Sequence, residues 1–169
     1  NDPKIQNAFR GFFNAMSEEY KEYTATINGT FRSLQRSYEL KFDVNDPSYN
    51  PKNATPGRSA HNYGGSIDMN ITLPSGLILR KKGDKVNWEQ SGIPQLAAQY
   101  GLSWGGNFSS YEDNIHFFYG GYNYSAIGAE LFGTQAPGQD GVSGKIRQIG
   151  PNPPSNTVKY VFADNSGDV

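Results

Sequence analysis

Cysteine is absent from the chain, which removes disulfide scaffolds, thiolate zinc fingers and cysteine nucleophiles from consideration. The redox compartment stays open, because a cysteine-free protein is indifferent to it. No apolar run approaches the roughly 18 residues of a membrane span. Neither sign of charge dominates: 15 basic and 16 acidic side chains leave a net charge of -1, with no basic run. Nucleic acid and anionic membrane surfaces are therefore not expected partners. The sequence opens at Asn1 without a Met and shows no charged-then-apolar leader, and the expectation is a piece of a longer polypeptide or a processed one. Histidine is scarce too, with only His61 and His116.

What the chain does have is glycine (20), proline (10), tyrosine (11) and phenylalanine (10) in 169 residues. That length suits one domain with a sizeable core. The core is expected to rest on aromatic rings more than on Leu and Val.

Residues 2–23 read as the clearest helix. Asp2 can cap it, Pro3 suits its first position, and Ile5, Phe9, Phe12, Phe13, Met16 and Tyr20 form one apolar stripe. A strand is expected from Tyr23 to Phe31, broken by the turn signal Asn28-Gly29. Ser33 can cap a second helix from Leu34 to about Phe42, with Leu34 and Tyr38 on its apolar side. Residues 43–58 read as a long loop. Ser66 to Leu73 alternates, with Ile67, Met69, Ile71 and Leu73 on one face and Asp68, Asn70 and Thr72 on the other. Leu77 to Leu79 is expected to pair back on it. A third helix is expected from Ile93 to Tyr100, then a loop from Leu102 to Phe108. A last strand from Asn114 to Tyr119 sets His116 on the face opposite Ile115, Phe117 and Tyr119. Beyond Gly120, glycine and proline recur between short apolar groups, and residues 121–169 read as an extended arm or linker.

Each histidine has an acid at short range: Asp68 follows His61 by seven positions and Asp113 precedes His116 by three. Alone, either histidine would more often be a satisfied surface or core residue. Together they suggest a site. Catalytic zinc uses three protein ligands and keeps a fourth position open, a need that His61, Asp68 and His116 meet. Asp113 is placed to serve as the base that takes a proton from an activated water. Arg32, at the junction of turn and helix, is the candidate positive group for the oxyanion.

These residues resemble a known family. His61-Asn-Tyr-Gly-Gly-Ser-Ile-Asp68, preceded by Ser59, resembles the Ser-x-His-x-x-Gly-x-Ala-x-Asp motif of the zinc D-alanyl-D-alanine and L-alanyl-D-glutamate peptidases. Gly101-Leu-Ser-Trp-Gly-Gly-Asn-Phe, with Asp113-Asn-Ile-His116-Phe, is similar to that family's Gly-Leu-x-Trp-Gly-Gly-Asp-Trp/Phe and Asp-x-x-His-Phe segments. Ile27-Asn-Gly-Thr-Phe-Arg32-Ser-Leu is similar to the Ser-Gly-Tyr-Arg-Ser segment of the L-alanyl-D-glutamate endopeptidase branch, phage endolysins included. The likeness covers roughly residues 5–119.

It implies an α+β fold, a small antiparallel sheet carrying a zinc site on one face with helices packed on the other, as in D-Ala-D-Ala peptidases and hedgehog-like domains. It implies zinc on His61, Asp68 and His116, Asp113 as base and Arg32 polarising the scissile carbonyl. Ser59 would donate a hydrogen bond to substrate and Trp104 would shape the cleft. Residues 1–120 would form the zinc peptidase domain. Ser66 stands for the usual Ala, Asn107 for a frequent Asp and Phe118 for a frequent Glu or Gln, and Ser37 lies about where a Gln is often found. These departures leave every ligand and the base in place.

The implied activity is zinc-dependent hydrolysis of an amide bond in peptidoglycan stem peptides, L-Ala-D-Glu or related, by a phage-encoded lysin. The setting would be a virion or an infected host, acting on the cell wall, with a larger phage protein as the parent assembly. A secreted bacterial enzyme is the alternative setting. A D-Ala-D-Ala-type carboxypeptidase and a zinc-bearing cell-wall-binding module that does not cleave are alternative functions. Composition alone admits a third, a carbohydrate-binding domain using exposed Tyr and Trp.

Overall fold

The computed structural model describes residues 2–80 and 82–133, together with the backbone of 158–161. In chain order the elements are α1 (Pro3–Glu19), β1 (Thr24–Gly29), α2 (Leu34–Phe42), β2 (Ser66–Thr72) and β3 (Ile78–Leu79). Then come α3 (Lys85–Ser91), α4 (Ile93–Gln99), β4 (Leu102–Trp104), β5 (His116–Tyr119), α5 (Tyr124–Phe132) and β6 (Val158–Val161). They belong to two compact units.

The first unit takes in residues 2–30 and 66–120 and strand β6. Its sheet has the order β4-β5-β2-β1-β6, with β3 pairing β2. Every pairing is antiparallel. This is the α+β arrangement that the resemblance implies.

One sheet face is apolar because the strands alternate. Ile67, Met69 and Ile71 from β2 and Phe117 from β5 join Phe12 and Met16 of α1, Trp88 of α3, and Ile93 and Leu96 of α4 in one buried cluster. Phe117 is its centre, stacked on Phe12 at 5.9 Å and tilted against Trp88 at 5.7 Å. The aromatic core expected from composition is thus built on three helices and one face of the sheet. The other face carries Ser66, Asp68 and Asn70 on β2, and His116 and Phe118 on β5.

Local chemistry sets the boundaries. Asp2 caps α1, its Oδ1 accepting from Lys4 N at 2.8 Å. The helix stops at Glu19, four residues short of the expected end. Tyr20 leaves helical geometry, donates its N–H to Met16 O at 2.9 Å and sends its hydroxyl to Ser91 O at 2.9 Å. Helix α3 was not expected: it is one short stretch with a single buried residue, Trp88, and no periodic stripe. Gly92, at φ 75°, ends α3 and opens α4 in a left-handed joint that a side chain would strain. The expected loop at Leu102–Phe108 instead begins with strand β4 and tightens into a 3-10 turn over Gly105–Asn107. Strand β5 starts at His116, two residues later than the expected Asn114.

The second unit takes in residues 31–65 and 121–133. Ser33 caps α2, its Oγ accepting from Arg36 N at 3.0 Å. The residue that α2 buries is Ser37, not the expected Leu34 and Tyr38, which are half-buried. Residues 43–58 carry no helix or strand, as expected. Asp43, Asp46 and Asn50 each accept from the backbone two residues on, and Lys41 Nζ donates to Pro51 O at 2.9 Å and Asn53 O at 2.6 Å.

Helix α5 lies in the stretch that composition reads as an arm. Asn123 caps it, and its Gly128 lies so close to the loop that a Cβ there would sit 2.2 Å from Gly57 O. Tyr124 stacks on Tyr63 at 5.9 Å. Strand β6 likewise falls in that stretch, paired with β1. The rest of the expected arm, 134–157 and 162–169, lies outside the described residues. Among the described residues no helix is long and apolar enough to cross a membrane.

Candidate metal centre

Asp68 and His116 face each other directly across β2 and β5. Asp68 Oδ1 and His116 Nδ1 are 2.8 Å apart. The alternation of both strands predicts this, since a period of two puts each on the face away from the core. Cross-strand partners hold their Cβ atoms about 4.5–5.5 Å apart, so the ladder itself sets the separation of these two donors. His116 is 9% exposed, flanked by Phe118 at 5.4 Å and Phe108 at 5.9 Å between ring centres.

Glycine makes room around the pair. The pairing of β1 with β2 slips by one residue between Ile27 and Gly29, which brings Gly29 opposite Asp68. A Cβ at Gly29 would come 3.3 Å from Asp68 Oδ2. The glycine read as half of a turn signal therefore serves a bulge beside a candidate ligand.

The segment leading to His116 is bolted at several points. Trp104 is 5% exposed and donates its Nε1 hydrogen to Asn114 O at 2.7 Å. Asp113 N donates to Gly105 O at 3.3 Å, and His116 N to Asp113 O at 3.0 Å. A Cβ on Gly105 would meet Asp113 O at 2.6 Å and His116 Cβ at 3.0 Å. This gives the Trp-Gly-Gly sequence a physical reason: the indole anchors the loop and Gly105 lets the chain carrying Asp113 and His116 pass beneath it. Trp88 is fully buried, so it is not available to a carbohydrate-binding surface of the kind that composition admits.

His61 lies in a 3-10 turn, Ala60–Tyr63, and is 3% exposed. Ser59 caps that turn, its Oγ accepting from His61 N at 3.3 Å. Gly64 ends it at φ 66°. The backbone of Arg32 is fastened to the same turn: Arg32 N donates to His61 O at 2.9 Å, and Arg32 O accepts from Asn62 Nδ2 at 2.9 Å. Asn62 uses the rest of its amide on Ser37 Oγ at 2.8 Å and Gly57 N at 2.9 Å. Sequence reasoning missed Asn62. Its only signal is its place beside His61, since a half-buried amide network has no periodicity to read.

His61, Asp68 and His116 can each offer one ligand atom to a metal ion. Two imidazoles and one carboxylate match the donor chemistry of a catalytic zinc site, with one coordination position left for water or substrate. A hard cation such as Mg2+ or Ca2+ would call for more oxygens than these three groups supply.

Residues 52–119 match the family model described as D-alanyl-D-alanine carboxypeptidase. The segment holds His61, Asp68, Asp113 and His116, so over that stretch the chain is similar to the peptidase family that its motifs resemble. No curated protein matches the chain by sequence. Among solved structures, the chain is similar to the L-Ala D-Glu endopeptidase ChiX of Serratia marcescens at 17% identity and TM-score 0.46, over 70% of this chain and 79% of that one. It is also similar to the LD-carboxypeptidase LdcB at 18% identity and TM-score 0.51, over 76% of this chain and 64% of that one. At such identity the second likeness speaks for the fold.

Proposed function

From the peptidase-family match over residues 52–119, we propose that this chain is a zinc-dependent peptidase that hydrolyses an amide bond in the stem peptides of peptidoglycan. The observation that carries the reading is the Asp68–His116 pair, two donors facing across adjacent strands inside the matched segment. The motif resemblance supports an endopeptidase acting at L-Ala-D-Glu or a related bond, in a phage-encoded cell-wall enzyme. The description of the matching family favours a second reading, a carboxypeptidase acting at the D-Ala end.

His61, Asp68 and His116 would hold the ion. When bound, zinc supplies Lewis acidity and lowers the pKa of a water toward about 7. The remaining work falls to the chain's own groups. As the water oxygen attacks the scissile carbonyl carbon, Asp113 takes the water proton and then delivers it to the departing amine nitrogen as the C–N bond breaks. Arg32 opposes the negative charge that develops on the carbonyl oxygen. Ser59 and the Trp104 segment hold the surrounding backbone in place.

Two substitutions test the division of labour. His116→Ala is expected to lose zinc, read as metal content after dialysis. Asp113→Ala is expected to keep zinc and lose about a hundredfold or more in turnover, read as new amino termini released from purified peptidoglycan. Native turnover in Asp113→Ala would remove Asp113 as the base. A native protein that carries zinc yet releases no amino termini would leave a binding module instead. Mass spectrometry of the released fragments names the bond and separates the two peptidase readings.

A further inference from the structure

On the same sheet face as His116, the first unit carries an open groove of about 760 Å³, within the range of small-molecule sites. Two half-buried phenylalanines, Phe108 and Phe118, line it with their rings 5.7 Å apart. Its polar lining is Gln95, Ser103, Asn107 and Glu89. We propose that this groove binds the sugar of the glycan strand to which the stem peptide is attached. The proposal rests on the peptidoglycan reading above and names a part of the substrate that the reaction itself does not require.

Charge argues for a sugar over peptide. Stem peptides carry carboxylates, which call for a cation, and among the described residues no basic side chain lines the groove. The nearby Lys85 spends its ammonium on Gly106 O at 2.7 Å and on the Trp104 ring at 5.9 Å. What the groove offers is an apolar aromatic surface beside two neutral amides, a hydroxyl and one carboxylate. A saccharide ring has the complementary inventory, C–H groups on its face and hydroxyls and an amide on its rim.

Position argues for the glycan end of the substrate. The two phenylalanines that line the groove are the rings that flank His116, so the groove lies on the far side of these rings from a candidate ligand. In peptidoglycan the muramic acid is joined by an amide to the first alanine of the stem, one residue or about 3.5 Å of chain from the L-Ala-D-Glu bond. The bonds at the D-Ala end lie about three residues further on, or roughly 10 Å. A sugar seated across the two rings from His116 therefore fits cleavage close to the glycan.

The test uses the zinc-loaded protein with two substrates, a disaccharide-linked stem peptide and the same peptide without sugar. The binding probe is peptide-free glycan, titrated by saturation-transfer NMR. The native protein is expected to favour the glycan-linked peptide by about tenfold in kcat/KM, carried in KM. Phe118→Ala should reduce that preference to within about twofold and weaken the NMR response. Should Phe118→Ala fail to fold, Asn107→Ala, which alters an exposed side chain, should lower the preference about threefold. Equal rates on the two substrates with no glycan response would overturn the proposal and leave the peptidase reading intact. So would a native preference that survives both substitutions, because the sugar would then sit elsewhere. Glycan binding that Phe118→Ala removes, in a protein that cleaves neither substrate, would uphold the groove and remove the peptidase.

Discussion

The two units hold their candidate site residues by opposite means. In the first, Asp68 and His116 ride on strands whose reverse face is packed with Phe12, Met16, Trp88 and Phe117. In the second, His61 and Arg32 belong to a turn and a loop tied mostly by polar groups: Ser59, Asn62 and Lys41 to backbone, and Tyr63 to Gly57 O at 2.7 Å. Among the described residues the apolar cluster lies wholly in the first unit. Apolar packing is non-directional and tolerates small changes by repacking. A hydrogen-bonded turn fixes orientation more sharply, but it fails one bond at a time.

The hardest blow to the packed unit is Phe117→Ala. Removing a fully buried ring from between Phe12 and Trp88 should cost about 3–5 kcal/mol. Against a typical total of about 5–15 kcal/mol, urea denaturation should show a large fall in midpoint. An unchanged midpoint would mean that the sheet unit does not depend on this core.

Gly105→Ala tests the passage under the indole. The added methyl meets Asp113 O at 2.6 Å, so the backbone leading to His116 has to shift. A loss of about 1–3 kcal/mol in stability is expected, together with weaker zinc retention in a chelator competition. Native affinity would show that the loop has slack that the geometry denies it.

Asn62→Ala is the matching test in the polar unit. It removes the bonds to Arg32 O, Ser37 Oγ and Gly57 N, at an expected cost of about 1–2 kcal/mol because Asn62 is only half-buried. The comparison sharpens if turnover falls more steeply than thermal stability. It breaks if the two fall together as they should for Phe117→Ala.

The smallest effect is expected at Asp46→Asn. Arg36 donates to both Asp46 and Glu39, and the bond from Arg36 holds the Asp46 carboxyl below its ordinary pKa. A carboxyl with a lowered folded-state pKa stabilises the fold fully above its unfolded value, about 3.9. That stabilisation is lost as pH falls through the depressed folded value. The Tm difference between native protein and Asp46→Asn should therefore be small at neutral pH and vanish in acid. A difference that grows in acid would put the charge pairing the wrong way round.

Legibility in the sequence follows the same division. Asp68 and His116 were readable because a strand of period two sorts its residues between two faces, and the core residues between them marked which face was which. The limits of α2 and the loop at 43–58 were readable from Ser33 and from the Asp, Asn and Pro that fill the loop. Short elements escaped. Helix α3 buries only Trp88 and leaves Val86 62% exposed, so no stripe announces it. Strand β4 is three residues long and is followed by two glycines that read as loop. Helix α5 was hidden by the glycine-rich composition around it, although Asn123, Ile127 and Leu131 at intervals of four were the signal. The roles of Gly29, Gly105 and Asn62 depend on what lies opposite them in space, which single-chain periodicity does not carry.

The ladder between β2 and β5 makes the spacing of Asp68 and His116 a property of the backbone. Met69 N bonds Ile115 O at 2.9 Å just beside the pair, so neither donor can drift without opening the sheet at its centre. Amide hydrogens there should exchange only when the whole unit opens, whereas turns and loops open at smaller cost. Two of the three candidate ligands thus share one lifetime, that of the core itself. Variation at the third candidate ligand has the easier route, through the turn that bears His61.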